Sequence, residues 1–177
     1  MTTYTTEYWI DPRVEARPSP IQGRGGFARE RIRSGEVVVI NGGSPMTEVE
    51  FRAFQAQAER YDAIQIGEDL HLVDISGGME RAGVSLNHSC DSNLWMRDAV
   101  MLVARRDIEA DEEVTVDYAL FTTQPDWALE LACNCGSPDC RHVITGNDWM
   151  LAEVQARYRD HFSPFINARI ARLHSGE

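Results

Sequence analysis

The chain of 177 residues contains no lysine, because all 17 of its Lys and Arg residues are arginines. Such a chain cannot be modified on its own lysine side chains, and a bias in genome composition explains the absence without invoking function. Acidic residues number 28, so the formal net charge is -11. This charge disfavours direct binding to nucleic acid phosphates. It favours a basic partner, such as a basic protein or tail, unless the acidity only maintains solubility.

Long apolar runs are also missing. The sequence contains no stretch of about 18 apolar residues, which excludes an evident membrane-spanning helix. The N-terminus, MTTYTTEYWIDP, has neither a basic start nor an apolar core and does not resemble a secretory signal. We therefore expect an intracellular, cytoplasmic protein without membrane association. In that compartment the four cysteines of the chain are more often metal ligands than disulfide partners.

Short strand patterns dominate the chain. The four clearest are GEVVVI (35–40), DLHLVD (69–74), AVMLVARR (99–106) and DEEVTVDYAL (111–120). A capping-box pattern that starts at Thr47 predicts a helix over about 48–60. From Trp149 onward the spacing is helical, with a break at Pro164. Strands and helices do not alternate, so we predict a mainly β fold with short helices, of the α+β class, rather than a parallel dinucleotide-binding sheet.

Three cysteines lie close together in CNCGSPDC, as Cys133, Cys135 and Cys140. Thiolates at this C-x-C-x4-C spacing suit a tetrahedral zinc site. A closed structural site needs a fourth ligand, and the spacing leaves two candidates, the nearby His142 and the distant Cys90. The alternative is a group of buried or redox-active cysteines that holds no metal.

Three further motifs are weak signals when each is taken alone. The glycines of GRGGFA allow a close backbone approach to a ligand. The motif precedes a strand, so it does not match a Rossmann fingerprint, and surface turns can look the same. In LNHSCDSN, Asn87 and His88 could simply satisfy a sharp turn. The segment EEVTVDY ends at Tyr118, and a tyrosine at a strand end more often packs than reacts.

In combination and in this order, GRGGFA, NHSCDSN, EEVTVDY and CNCGSPDCR resemble the SET-domain family of protein lysine methyltransferases. The last motif resembles the post-SET zinc loop, and the short chain is similar to compact bacterial members. The resemblance implies a SET-domain-like β-fold with a pseudoknot, a C-terminal zinc loop and a C-terminal helix. It divides the chain into a catalytic domain (1–120), a post-SET-like loop (121–146) and a helical extension (147–177).

The resemblance also implies roles for individual residues. Tyr118 is the expected catalytic tyrosine. The residues expected to bind S-adenosylmethionine are Arg24, Gly25, Gly26, Phe27, Asn87 and His88. The residues expected to bind one structural zinc ion are Cys90, Cys133, Cys135 and Cys140, which places Cys90 ahead of His142 as the fourth ligand.

The implied function is transfer of methyl groups from S-adenosylmethionine to lysine side chains of a basic protein. Two alternatives stay open: a methyltransferase for a small or N-terminal amine, and a zinc-stabilised binding module without turnover. Val116 stands where the family often has an aromatic residue, which predicts a roomier substrate channel unless Trp95 or Met96 fills the space. Tyr61 is a candidate for a second tyrosine in that channel.

Overall fold

Short strands carry most of the fold, as the sequence predicts. In the computed structural model, which describes residues 4–58, 61–75 and 84–176, eleven strands form three sheets. The strands are β1 Trp9–Ile10, β2 Val14–Pro18, β3 Arg24–Ala28, β4 Val37–Ile40, β5 Ser44–Met46, β6 Asp62–Gly67, β7 Leu70–Asp74, β8 Asn87–His88, β9 Leu94–Met96, β10 Met101–Ala104 and β11 Glu113–Val116. The helices are α1 Glu48–Gln55, α2 Ala152–Arg157 and α3 Pro164–Ser175, with 3-10 turns at Tyr118–Leu120 and Asp148–Met150.

The four predicted strands are present, although each is shorter than its sequence pattern. The helix predicted over 48–60 begins at the expected capping box, in which Thr47 Oγ1 accepts from the Glu50 amide and Glu50 Oε2 accepts from the Thr47 amide. It ends at Gln55, so the predicted helix is too long. Phe51 is its one buried side chain, and a helix with so little packing gains little from further turns. Residues 59 and 60 lie outside the described part of the chain.

One sheet brings three of the distant motifs together. Its strand order is β2-β3-β11-β8. Strand β11, which leads to Tyr118, pairs antiparallel with the glycine-rich β3 on one side. On its other side it pairs in parallel with β8, where Thr115 lies opposite Asn87. The two motifs expected to hold a cofactor therefore flank the strand that ends at the expected catalytic tyrosine.

The C-terminal helices belong to the same hydrophobic core as the sheets. Trp149, Val154, Tyr158 and Ile166 are buried in one cluster with residues of the strands. Pro164 begins α3, which explains the predicted break because a proline at the first helical position needs no amide partner. The proposed boundaries at 120 and 146 stay a prediction. The helices of the described segments are too short or too polar to traverse a bilayer.

Tyr158 ties this C-terminal segment to the turn that follows β8. The side chain is fully buried. Its hydroxyl accepts a hydrogen bond from the Ser92 amide at 3.1 Å and donates to the Cys90 carbonyl at 3.3 Å. A single phenol thus satisfies two backbone groups of the LNHSCDSN turn, which have no access to water.

Replacement of Tyr158 by phenylalanine should lower the free energy of unfolding by about 1–3 kcal/mol, because the Ser92 amide would lose its partner inside the protein. Urea denaturation of the two proteins measures the difference. Tyr4→Phe removes the same hydroxyl from a half-buried side chain near the N-terminus and serves as the control. Equal stability of wild type and Tyr158→Phe would show that the phenol does not hold the turn.

Candidate active site

Asn87 connects the three motifs of the β2-β3-β11-β8 sheet through one side-chain amide. Its Nδ2 lies 2.8 Å from Glu113 Oε1, 3.1 Å from the Gln22 carbonyl oxygen and 3.2 Å from the Arg24 carbonyl oxygen. An added Cβ on Gly25 would lie 2.0 Å from Glu113 Oε1, so a larger residue there would displace the end of the Glu113 side chain from Asn87.

The other residues of the glycine-rich turn contact neighbouring parts of the protein or are exposed. A Cβ on Gly26 would lie 2.8 Å from Val84 Cγ1, so this glycine is required by packing. The Phe27 ring lies beside Arg17, whose guanidinium carbon is 5.7 Å from the ring centroid. The Arg24 side chain is exposed, while its carbonyl oxygen faces Asn87.

A small cleft opens beside this junction and has a volume of about 80 Å³. Its walls come from Ile21 and Gln22, from Asn87, His88 and Tyr118, and from Leu129, Leu131, Ala132, Cys133 and Asn134. Of the residues expected to bind S-adenosylmethionine, Asn87 and His88 line the cleft. Ile21 and Gln22, which directly precede the glycine-rich motif, also line the cleft, and cofactor binding by Arg24, Gly25, Gly26 and Phe27 stays a prediction.

A second, larger cavity of about 220 Å³ lies against Tyr118. Of the described residues, Tyr118 alone lines both this cavity and the cleft, so it forms part of the wall between them. The other aromatic residues of the larger cavity are Tyr8, Phe51, Tyr61, Phe121 and Trp127. The cavity therefore combines apolar ring faces with several phenol hydroxyls.

The residues that the sequence suggested for this channel occupy different places. Val116 and Tyr61 line the cavity. Trp95 stacks on His161 with ring centroids 3.4 Å apart, and Met96 is buried in the core, so neither replaces the missing aromatic side chain at Val116. The Tyr61 hydroxyl is held by an internal hydrogen bond from the Gln55 amide.

Tyr118 begins a 3-10 turn directly after β11, which points its ring into the site. Its hydroxyl donates to the Leu86 carbonyl at 3.1 Å, and its amide donates to His88 Nδ1 at 3.3 Å. Burial raises the pKa of Tyr118 to about 12, with smaller contributions from the charges of Asp62 and Cys133. The phenol is therefore protonated at neutral pH and acts as a hydrogen-bonding group rather than as a base.

His88 connects Tyr118 to the cysteines. Because Nδ1 accepts from the Tyr118 amide, the ring proton lies on Nε2, which is 3.3 Å from Cys90 Sγ. Burial lowers the pKa of His88 to about 4, so the ring is neutral. The imidazole has no free nitrogen for a cofactor, and His88 can offer only its ring face or its backbone to the cleft.

The four cysteines come together at one point although Cys90 is distant in sequence from the other three. The Sγ atoms of Cys90, Cys133, Cys135 and Cys140 all lie within 4.8 Å of one another. Four zinc–sulfur bonds of ordinary length would place sulfurs about 3.8 Å apart, which matches this cluster. His142 is not a member of the cluster, and its Nδ1 lies 3.8 Å from Cys140 Sγ. The geometry thus fits a zinc ion with Cys90 as the fourth ligand.

The sequence analysis assigned no role to Arg141, which joins the cysteine loop to the strand before Tyr118. Its guanidinium makes two hydrogen bonds of 2.8 Å to Asp117, and its Nε lies 2.9 Å from Asp148 Oδ2. Its amide donates to Cys90 Sγ at 3.3 Å. The signal in the sequence is an arginine directly after the last cysteine and an aspartate directly before the tyrosine.

Replacement of Arg141 by glutamine should lower the free energy of unfolding by about 3–5 kcal/mol, because Asp117 is fully buried and would lose its countercharge. Urea denaturation measures the loss. Arg172→Gln breaks an exposed ion pair with Glu68 and should change stability by less than about 1 kcal/mol. Similar losses in the two variants would contradict a special role for the Arg141 pair.

Comparison with known proteins identifies relatives of the chain. The model of the SET domain matches residues 23–119. The chain is 30% identical over 162 residues to histone-lysine N-methyltransferase ATX2 of Arabidopsis thaliana, covering 78% of this chain and 13% of that protein. It is 31% identical over 139 residues to histone-lysine N-methyltransferase 2B of Homo sapiens, covering 71% of this chain and 5% of that protein. The chain thus spans only a small part of these relatives.

A solved structure has the same fold. The methyltransferase domain of human histone-lysine N-methyltransferase SETMAR aligns with a TM-score of 0.55 at 23% sequence identity. The alignment covers 74% of this chain and 57% of that chain. It confirms the predicted SET-methyltransferase-like, mainly β fold.

Proposed function

The chain belongs to the SET-domain family, and from this membership we propose that it transfers methyl groups from S-adenosylmethionine to lysine side chains of a protein. Its relatives ATX2 and 2B are named as histone-lysine methyltransferases. The net charge of -11 supports a basic protein as the substrate.

The observation that carries the proposal is the position of Tyr118 between two cavities. Methyl transfer from a sulfonium is an in-line displacement, so the amine must approach the methyl group from the side opposite the sulfur. In the proposed arrangement Asn87 and His88 would hold the methyl donor at the cleft, which at about 80 Å³ admits only part of it. The lysine enters the larger cavity, and the two meet at Tyr118. Alignment of this kind contributes a large part of the rate in reactions between two bound molecules.

The work of the protein is to orient an amine that has lost its proton. A free lysine has a pKa of about 10.4 and arrives protonated. When bound, S-adenosylmethionine supplies the methyl group and a positive charge that disfavours the ammonium form. The Tyr118 hydroxyl donates its proton to the Leu86 carbonyl, so its lone pairs are available to accept an N–H of the amine. That contact would direct the nitrogen lone pair toward the cleft.

The cysteine cluster has a structural role in this proposal. Cys90 lies two residues after His88, and Cys133 lines the cleft. The loop of residues 129–134 lines the cleft and is here called its far wall. A zinc ion on the four cysteines would hold the turn after β8 against this loop. Metal retention and cofactor binding should therefore depend on each other.

Removal of zinc should abolish S-adenosylmethionine binding, because the cleft would lose its far wall. Metal analysis of purified protein should give about one zinc per chain, and calorimetry before and after chelation measures cofactor binding. Cys90→Ser should lose zinc, whereas His142→Ala should retain it. Unchanged cofactor affinity in the chelated protein would contradict the coupling.

Replacement of Tyr118 by phenylalanine should lower kcat at least about a hundredfold, because the amine would lose the group that aligns it. Zinc content should stay unchanged, and the unfolding temperature should fall only slightly, because the Leu86 carbonyl loses one hydrogen bond. The assay follows labelled methyl groups from the cofactor into basic proteins and peptides, and the lysine-free chain gives no background on its own lysines. Equal turnover by the variant would rule out Tyr118 as the catalytic tyrosine.

The same assay separates the proposed function from the alternatives. Mass spectrometry of the product should place the methyl group on a lysine side chain. Label on an N-terminal or small-molecule amine would identify a different acceptor. Cofactor binding without transfer to any basic protein would indicate a binding module.

A further inference from the structure

The larger cavity has an acidic wall that alignment of an amine does not explain. Asp62 and Asp74 both line the cavity. They are direct partners in the antiparallel pairing of β6 and β7, so their side chains lie on the same face of the sheet. Like charges in directly opposed positions destabilise a sheet. Each carboxylate also has an interaction within the chain, but the pair still brings two acidic groups to one wall.

Tyr8 adds a second observation at the same wall. Its side chain lines the cavity, and its hydroxyl oxygen is buried without a hydrogen-bond partner among the described residues. Burial raises the pKa of Tyr8, and the charges of Asp62 and Asp74 raise it further. The hydroxyl is therefore protonated. Buried hydroxyls normally find a partner in the protein, in water or in a ligand, so this one is available to a polar group that enters the cavity.

Asp62 also acts on the proposed reaction centre. Its charge contributes to the raised pKa of Tyr118, which lines the same cavity. An amine aligned by Tyr118 would therefore lie in the field of the Asp62 carboxylate. In a cavity otherwise rich in aromatic rings, such a carboxylate interacts strongly with a cation because water screens the charges poorly.

We propose that Asp62, supported by Asp74 and Tyr8, is a specificity-determining residue that binds the ammonium form of the target lysine as it enters the cavity. This inference rests on the proposed function. It assigns two successive tasks to the cavity: the acidic wall captures the cation, and Tyr118 aligns the amine after the ammonium has released its proton to solvent water.

Capture by a carboxylate has a cost for the chemistry. The charge that attracts the ammonium also stabilises it, so it raises the pKa of the bound lysine. Removal of the charge should weaken substrate binding and at the same time let the bound amine lose its proton at lower pH. A residue that only supports the fold would not produce this pair of opposite effects.

The test is a comparison of kcat and KM across pH for the full-length wild type and the Asp62→Asn variant, with a basic peptide that the wild type methylates. We expect KM to rise about tenfold or more, as for loss of a charge-assisted hydrogen bond, and the rising limb of the kcat profile to shift to lower pH. The other titratable groups that line the cavity stay in place: Tyr8, Tyr61, His71, Asp74 and Tyr118.

Two further variants control for charge and for fold. Glu153→Gln removes the same charge from the exposed face of α2, outside the cavity, and should change neither KM nor the pH profile. Asp62→Glu keeps the charge and should restore most of the wild-type KM. Unchanged KM and an unshifted pH profile in Asp62→Asn would overturn the inference.

A measurement on the wild type keeps the inference testable if Asp62→Asn does not fold. A peptide with norleucine at the target position lacks only the amine, and it should bind at least about ten times more weakly than the lysine peptide at neutral pH. Equal binding would overturn the inference. Absence of methyl transfer by the wild type to any lysine peptide would instead refute the proposed function.

Discussion

The buried ion pair between Arg141 and Asp117 is the constraint on which the rest of the site depends. Two charges removed from water must satisfy each other, so their relative position has little freedom. Asp117 directly precedes Tyr118, and Arg141 directly follows Cys140. The pair therefore fixes the end of β11 relative to the cysteine loop, which in turn forms the far wall of the cleft. A small displacement of either partner would move the wall and the tyrosine together.

The polar residues beside this pair line the cleft while their side-chain nitrogens are bonded within the protein. The Asn87 amide group bonds to Glu113 and to two backbone carbonyls. The two ring nitrogens of His88 bond to the Tyr118 amide and to Cys90 Sγ. Such buried networks are stable only when every member has a partner. These bonds hold the side chains that line the cleft, and in the proposed reaction donor and acceptor reach Tyr118 from its two sides.

Several features were predictable because they depend on local spacing or on ordered motifs. The short strands follow from residue alternation, the start of α1 from its capping box, and the family from the order of four motifs. The end of α1 was predicted too far along because local pattern does not show that only Phe51 finds a buried surface. The role of the glycines in cofactor binding stays a prediction, whereas the contact of Gly25 with the end of Glu113, which comes from another strand, had no signal in the local sequence. A cytoplasmic location stays a prediction from sequence.

Local spacing and motif order were enough to predict the mainly β class, the cysteine spacing and the candidate catalytic tyrosine, because these are properties of neighbouring residues and of motif order. Which distant side chains meet depends on the tertiary structure. The spacing left Cys90 and His142 open and the family resemblance favoured Cys90, which the fold brings to the other cysteines, while the register of β6 and β7 sets Asp62 opposite Asp74. A shift by one residue would turn these side chains to the other face, and no local pattern in the sequence specifies that register.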